Sequence, residues 1–139
     1  MDWLEASIIA SRVMIEIIFF AMGACVYSFL NVVVFRLPRH MQFMEGKSMC
    51  PSCKHELAAK DLIPIFSWIS LKGKCRYCGA PISVRYTVVE VVGGVLAVVF
   101  TLLFGVKPMA AVTFLVSCVI TVVILMLLDR LKNNSASVK

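Results

Sequence analysis

The amino-acid sequence predicts an all-α membrane protein with about three transmembrane helices and a small zinc-ribbon-like loop between the first two. Three observations predict it. First, 60% of the 139 residues are hydrophobic and only 16% are charged, whereas soluble domains run nearer 45–50% and about 25%. Second, the apolar residues gather into three runs, at about residues 13–35, 86–104 and 109–128. Third, two Cys-x-x-Cys pairs, Cys50/Cys53 and Cys75/Cys78, lie between the first run and the second, with 21 residues between the pairs.

Residues 1–35 form an N-terminal segment and the first span. The run "VMIEIIFFAMGACVYSFLNVVVF" exceeds the roughly 20 residues that cross a bilayer. Asp2 and Glu5 stand where a cleaved signal would carry basic residues, so the segment reads as an anchor. Ala21, Ala24 or Cys25, and Ser28 fall three to four apart, a spacing that lets another helix approach closely. Glu16 follows Arg12 by one turn, which predicts a pair near the outer headgroups. Cys25 and Cys118, each inside an apolar run, read as small buried hydrophobes.

Residues 36–85 form a basic loop. They hold nine of the 14 Lys and Arg but three of the 8 acids. Lipid headgroups and topology account for that charge without a nucleic-acid partner. Arg36 and Arg39 sit at the headgroups and Pro38 stops the helix. Pro51, Gly73, Gly79 and Pro81 predict short turns and hairpins, with one short helix near "AKDLIPIFSWI".

Residues 86–128 supply the second and third spans, joined by a "GVKP" turn. Gly93 and Ala97 make a small-xxx-small pair for helix packing. Glu90, one turn into the span, is expected to face protein, water or a partner such as Arg85 or Arg36. Residues 129–139 are a short polar tail, expected to be disordered. Three spans place the termini on opposite faces. The basic loop shares its face with Arg130 and Lys132, and the acidic N-terminus lies on the other. The positive-inside rule then puts the N-terminus outside and the cysteine loop in the cytoplasm, where thiols stay reduced.

Four reduced cysteines in two Cys-x-x-Cys turns suit a tetrahedral zinc ion. All four positions filled by protein leave no open site, which favours a structural metal over a catalytic one. A redox dithiol is the rival, and two pairs without a βαβ pattern count against it. Gly79 is free to take a positive φ, and Lys54, Lys74 and Arg76 would favour thiolates. His40 and His55 read as solvated loop residues.

The ordered motifs "GACVYSFLNVVVFRLPRH" and "SMCPSCKHELAAKDLIPIFSWISLKGKCRYCGAPISVRYTVVEVVGG" resemble the N-terminal part of the bacterial type IV prepilin leader peptidases, over about residues 20–95. The resemblance implies a multi-pass inner-membrane enzyme of pilus assembly and type II secretion. Such an enzyme cuts prepilins or pseudopilins and methylates the new N-terminus with S-adenosylmethionine. It further implies a cytoplasmic loop that binds Zn2+ through Cys50, Cys53, Cys75 and Cys78 and belongs with the methylation activity. Arg36, Asp61, Arg85 and Glu90 match the family's polar positions as candidate binding residues, for substrate or methyl donor, with no role assigned by the resemblance.

The chain departs from the family pattern in several places. Tyr27 stands for the usual Gly, Thr87 for the usual Pro, and Ala59-Lys60 for a frequent aromatic pair. The peptidase half needs two aspartates, one in a GxGD motif, and the sequence has no GxGD. Asp129 falls roughly where the first aspartate belongs, or is simply a helix-end charge at the membrane interface. One aspartate makes no dyad, so the chain is not expected to cleave alone. Nor does a glycine-rich loop for S-adenosylmethionine appear; Gly93-Gly94 reads as helix packing. Two readings follow: the N-terminal, methyltransferase-associated part of the enzyme, or a non-catalytic membrane zinc-binding module that docks prepilins or a separate peptidase core. A zinc-ribbon adaptor unconnected with pili fits the ordered motifs least.

Overall fold

The computed structural model describes residues 2–39 and 48–137. His40 lies outside them. The described residues form four α-helices: α1 (Trp3–Arg36), α2 (Phe66–Ser70), α3 (Val84–Phe104) and α4 (Pro108–Ser137). Among the described residues there is no strand. The loop instead has two isolated bridges, Met49 with Glu56 and Lys74 with Pro81. Helices α1, α3 and α4 each carry a stretch long and apolar enough to cross a membrane.

Helix α1 starts about ten residues earlier than the apolar run suggests. Asp2 is extended at its N-cap and Glu5 lies in the first turn, where a carboxylate favours the positive end of the helix dipole. With 34 residues it is about 51 Å long, well beyond the roughly 30 Å hydrocarbon core. Beyond Arg36 the chain tightens into a 3-10 turn, Leu37–Arg39, around Pro38. Helix α4 opens on Pro108 after Gly105, whose φ is 68°. It then runs unbroken through Ser137. The polar tail is therefore helical as far as Ser137, not disordered: Asn, Ser and Ala continue hydrogen bonding once the aliphatic span has nucleated the helix.

Helix α1 packs chiefly on α3. Its buried stripe is Gly23, Ala24, Tyr27, Asn31 and Val34, which are three and four residues apart and so share one face. Of the small residues expected at the contact, Ala24 is buried while Ala21 and Cys25 are exposed, so Cys25 is not a core residue. Cys118, by contrast, is buried. The opposing stripe on α3 is Val89, Glu90, Gly93, Gly94, Ala97 and Thr101. Gly93 must be glycine because a Cβ there would overlap the ring of Tyr27.

Tyr27 is 0% exposed and joins all three long helices. Its ring lies over Gly93 on α3 and 5.9 Å, centroid to centroid, from Phe114 on α4. Its hydroxyl is 3.1 Å from Ser117 Oγ and 3.2 Å from Thr121 Oγ1. Glu16 is bonded across helices. Thr101 donates to its Oε2 at 2.8 Å, which ties α1 to the far end of α3.

Candidate metal centre

The two Cys-x-x-Cys turns adopt the same backbone in the same register. In the first, Lys54 N–H donates to the Cys50 carbonyl at 2.9 Å, and Cys50 N–H donates to the His55 carbonyl at 3.0 Å. In the second, Gly79 N–H donates to the Cys75 carbonyl at 2.9 Å, and Cys75 N–H donates to the Ala80 carbonyl at 2.8 Å. The residue after each second cysteine is left-handed, with φ 58° at Lys54 and 71° at Gly79. Each turn thereby curls both sulfurs to one side.

The four sulfurs of Cys50, Cys53, Cys75 and Cys78 lie within 4.8 Å of one another. Cys50 Sγ and Cys78 Sγ are 3.8 Å apart. A tetrahedron with metal–sulfur bonds of about 2.3 Å has edges of about 3.8 Å, so this cluster can hold a metal ion. No disulfide joins the cysteines. The electrostatics agree. Backbone amides of Cys53 and Ser52 aimed at Cys50 lower its thiol to about 6. Cys78 is pushed up to about 12: the Ala80 amide draws it down, but burial and the sulfurs of Cys53, Cys75 and Cys50 outweigh that pull. Four thiols this close cannot all ionise unless a cation joins them. The first thiolate is stabilised by backbone amides, not by the lysines and Arg76 expected to favour it.

Arg76 is committed elsewhere. Its Nε donates to Asp61 Oδ1 at 2.7 Å. Tyr77 Oη donates to Asp61 Oδ2 at 3.2 Å, and the Ala58 amide donates to the same oxygen at 3.3 Å. Arg76 holds the Asp61 carboxyl below the usual carboxylate range, with the Ala58 and Tyr77 bonds assisting. The Tyr77 hydroxyl is correspondingly raised, by burial first and then by Asp61. Asp61 therefore clamps the second turn against the 3-10 turn Ala59–Asp61. The His55 and Tyr77 rings stack with centroids 3.7 Å apart, bridging the two turns.

The remaining candidate residues sit on the helices. Trp68 Nε1 donates to the Ile82 carbonyl at 3.1 Å, tying α2 to the approach of α3, whose first turn is capped by Ser83. Glu90 is buried and faces protein: the Ile65 amide donates to its Oε2 at 2.8 Å. Arg85 pairs instead with Asp129 at two points, Nη1 to Oδ1 and Nη2 to Oδ2 at 3.2 Å. Arg36 closes α1. Asp61, Arg85 and Glu90 thus make three separate contacts and not one shared pocket.

Sequence reasoning passed over Tyr77, Trp68 and Ile65. Arg76 and Tyr77 fill the gap in Cys75-x-x-Cys78, so their side chains had to lie beside the cluster. No sequence pattern pointed to the Glu90 bond with a backbone amide 25 residues away.

Residues 21–104 match the family described as Bacterial Peptidase A24 N-terminal domain. The chain is 49% identical over 77 residues to a prepilin leader peptidase/N-methyltransferase of Myxococcus xanthus, covering 55% of this chain and 23% of that one. It is 35% identical over 118 residues to the protein of that name from Burkholderia pseudomallei, covering 67% and 38%. With the one from Klebsiella pneumoniae the identity is 42% over 85 residues, covering 57% and 37%. The chain thus spans well under half the length of these curated relatives. No solved structure matches it. The matched segment takes in the C-terminal half of α1, both cysteine turns and all of α3, and on that ground the chain belongs to the bacterial peptidase A24 N-terminal domain family.

Proposed function

We propose that this chain is the N-terminal, metal-holding part of a type IV prepilin-processing enzyme, placed in the bacterial inner membrane with its N-terminus outside and its cysteine loop in the cytoplasm. The observation that carries this reading is the four-sulfur cluster, set within a segment that matches the family from one span to the next. Zinc is the proposed ion: four thiolates in a tetrahedron are its usual structural set, and the cytoplasm keeps thiols reduced. Its role here is to fix the loop. Cys50, Cys53, Cys75 and Cys78 would hold it, His55 and Tyr77 bridge the two turns, and Asp61 with Arg76 holds the second against the 3-10 turn.

The substrates proposed are prepilins, in keeping with the relatives being prepilin leader peptidase/N-methyltransferases, or pseudopilins, with S-adenosylmethionine as the proposed methyl donor. The reading includes no cleavage by this chain alone, because its one candidate aspartate, Asp129, is engaged by Arg85 and no GxGD is present. The second reading is a non-catalytic module that docks prepilins or a separate peptidase core. What favours it is the aliphatic surface that α4 leaves uncovered.

Methyl transfer from labelled S-adenosylmethionine to a processed pilin peptide separates the two. Transfer by the purified chain supports the first reading; transfer only with an added peptidase core supports the second. Appearance of cut prepilin with this chain alone would overturn the non-cleaving assignment. Elemental analysis below half an equivalent of zinc per chain would overturn the metal.

A further inference from the structure

The loop does not stand clear of the helices on the side where α3 begins. Glu90 lies six residues beyond Val84, the first residue of α3, so its Cα is about 9 Å along the axis from the helix start. The Ile65 amide donates to its carboxylate at 2.8 Å. Even with the glutamate leaning back toward the N-terminus, the backbone at Ile65 is level with the first turns of α3 and not beyond its end. A second marker agrees. The Arg85–Asp129 pair joins the ends of the apolar stretches of α3 and α4, which sets the headgroup level. Glu90 is five residues further in.

A backbone amide at that depth needs a partner, since lipid offers none. Glu90 supplies it, at a residue whose φ of 65° turns the chain sharply into α2. Around this turn the side chains are apolar and uncovered. Leu62 is 45% exposed, Ile63 49%, Phe66 74% and Ile69 60%. Exposed lysines, Lys60 and Lys72, flank the segment on both sides. Aromatic and aliphatic groups bounded by cations, at headgroup depth, are the pattern of an interfacial anchor.

We propose that residues 62–69 form an elbow inserted into the cytoplasm-facing leaflet, with Leu62, Ile63, Phe66 and Ile69 among the upper acyl chains and Lys60 and Lys72 at lipid phosphates. The partner is the phospholipid bilayer. The insertion holds the two cysteine turns against the membrane. The inference rests on α3 crossing the membrane and is independent of the metal and of any catalytic activity.

The test uses the full chain in phospholipid vesicles. Trp3→Phe and Trp68→Phe with Phe66→Trp leave one tryptophan, at the elbow. Lipids brominated near the headgroup end of the acyl chain are expected to quench it at least about twofold more than aqueous acrylamide does. Stronger quenching by acrylamide, or shielding from both agents by a covering protein surface, overturns the proposal. A second measurement needs no aromatic exchange. In the wild-type chain, a photoactivatable lipid is expected to label the peptide containing residues 62–69 at about a third or more of the level found for α4 peptides. Weaker labelling overturns the proposal even if the triple variant fails to fold.

Discussion

Arg85 and Asp129 tie the near ends of α3 and α4 together through a two-point guanidinium–carboxylate pair. Both side chains remain more than a third exposed, 39% and 38%, so screening keeps the pair's worth modest. Asp129→Asn is expected to cost about 0.5–1 kcal/mol in detergent unfolding. The charge swap Arg85→Asp with Asp129→Arg should recover part of that loss, as coupled neighbours do. Losses from the single changes that simply add in the swap would show that the pair contributes nothing to stability.

Tyr27 and Gly93 pack as a lock between α1 and α3. Tyr27→Phe keeps the ring over Gly93 and removes only the hydroxyl shared with Ser117 and Thr121. Within a membrane such a bond is worth about 0.6 to 1.7 kcal/mol. Tyr27→Gly removes the ring as well and should cost about 3–5 kcal/mol. Steric trapping or detergent unfolding measures both. A Tyr27→Gly variant as stable as Tyr27→Phe would mean that α1 closes onto α3 without the ring.

Much of this architecture is legible in the sequence because bilayer thickness and metal valence impose simple rules. Three apolar runs of span length give the three long helices, and two Cys-x-x-Cys turns give the sulfur cluster. What was not legible depends on partners far apart in the chain. Glu16 and Thr101 are 85 residues apart, and Ile65 and Glu90 are 25 apart; neither spacing has a periodic signature. The contact face of α1 is legible only in part, through Ala24, because small residues recur on more than one side of it. Packing chose the side bearing Gly23 and Tyr27, where α3 offers Gly93.

Asp61 gives the loop an acid-sensitive joint. Arg76 holds its carboxyl below the ordinary range, so the folded loop favours the ionised form. The resulting stabilisation is complete above the unfolded value of about 3.9 and fades as pH falls through the lower folded value. Asp61→Asn cannot titrate and should lose this contribution at every pH above that window. Loss of the bonds to Arg76, Tyr77 and Ala58 is also expected to weaken metal retention about 10- to 100-fold, as for other groups that orient a ligand shell. Chelator competition at pH 7 measures retention. An Asp61→Asn variant that holds metal as tightly as the wild type would remove Asp61 from any supporting role.

The two cysteine turns differ at one telling position. Lys54 and Gly79 occupy equivalent places with φ of 58° and 71°, but only glycine takes that conformation without steric cost. A side chain there costs about 1–2 kcal/mol. Nothing lies within 4 Å of a Cβ built on Gly79, so any penalty at that site comes from the backbone alone. Gly79→Ala should therefore destabilise the second turn by about 1 kcal/mol, and Lys54→Gly should relax the first by a similar or smaller amount. Metal-release rates under chelator should move in opposite directions, faster for Gly79→Ala and slower for Lys54→Gly. The same direction of change in both variants would show that the left-handed residues do not set the stability of the turns.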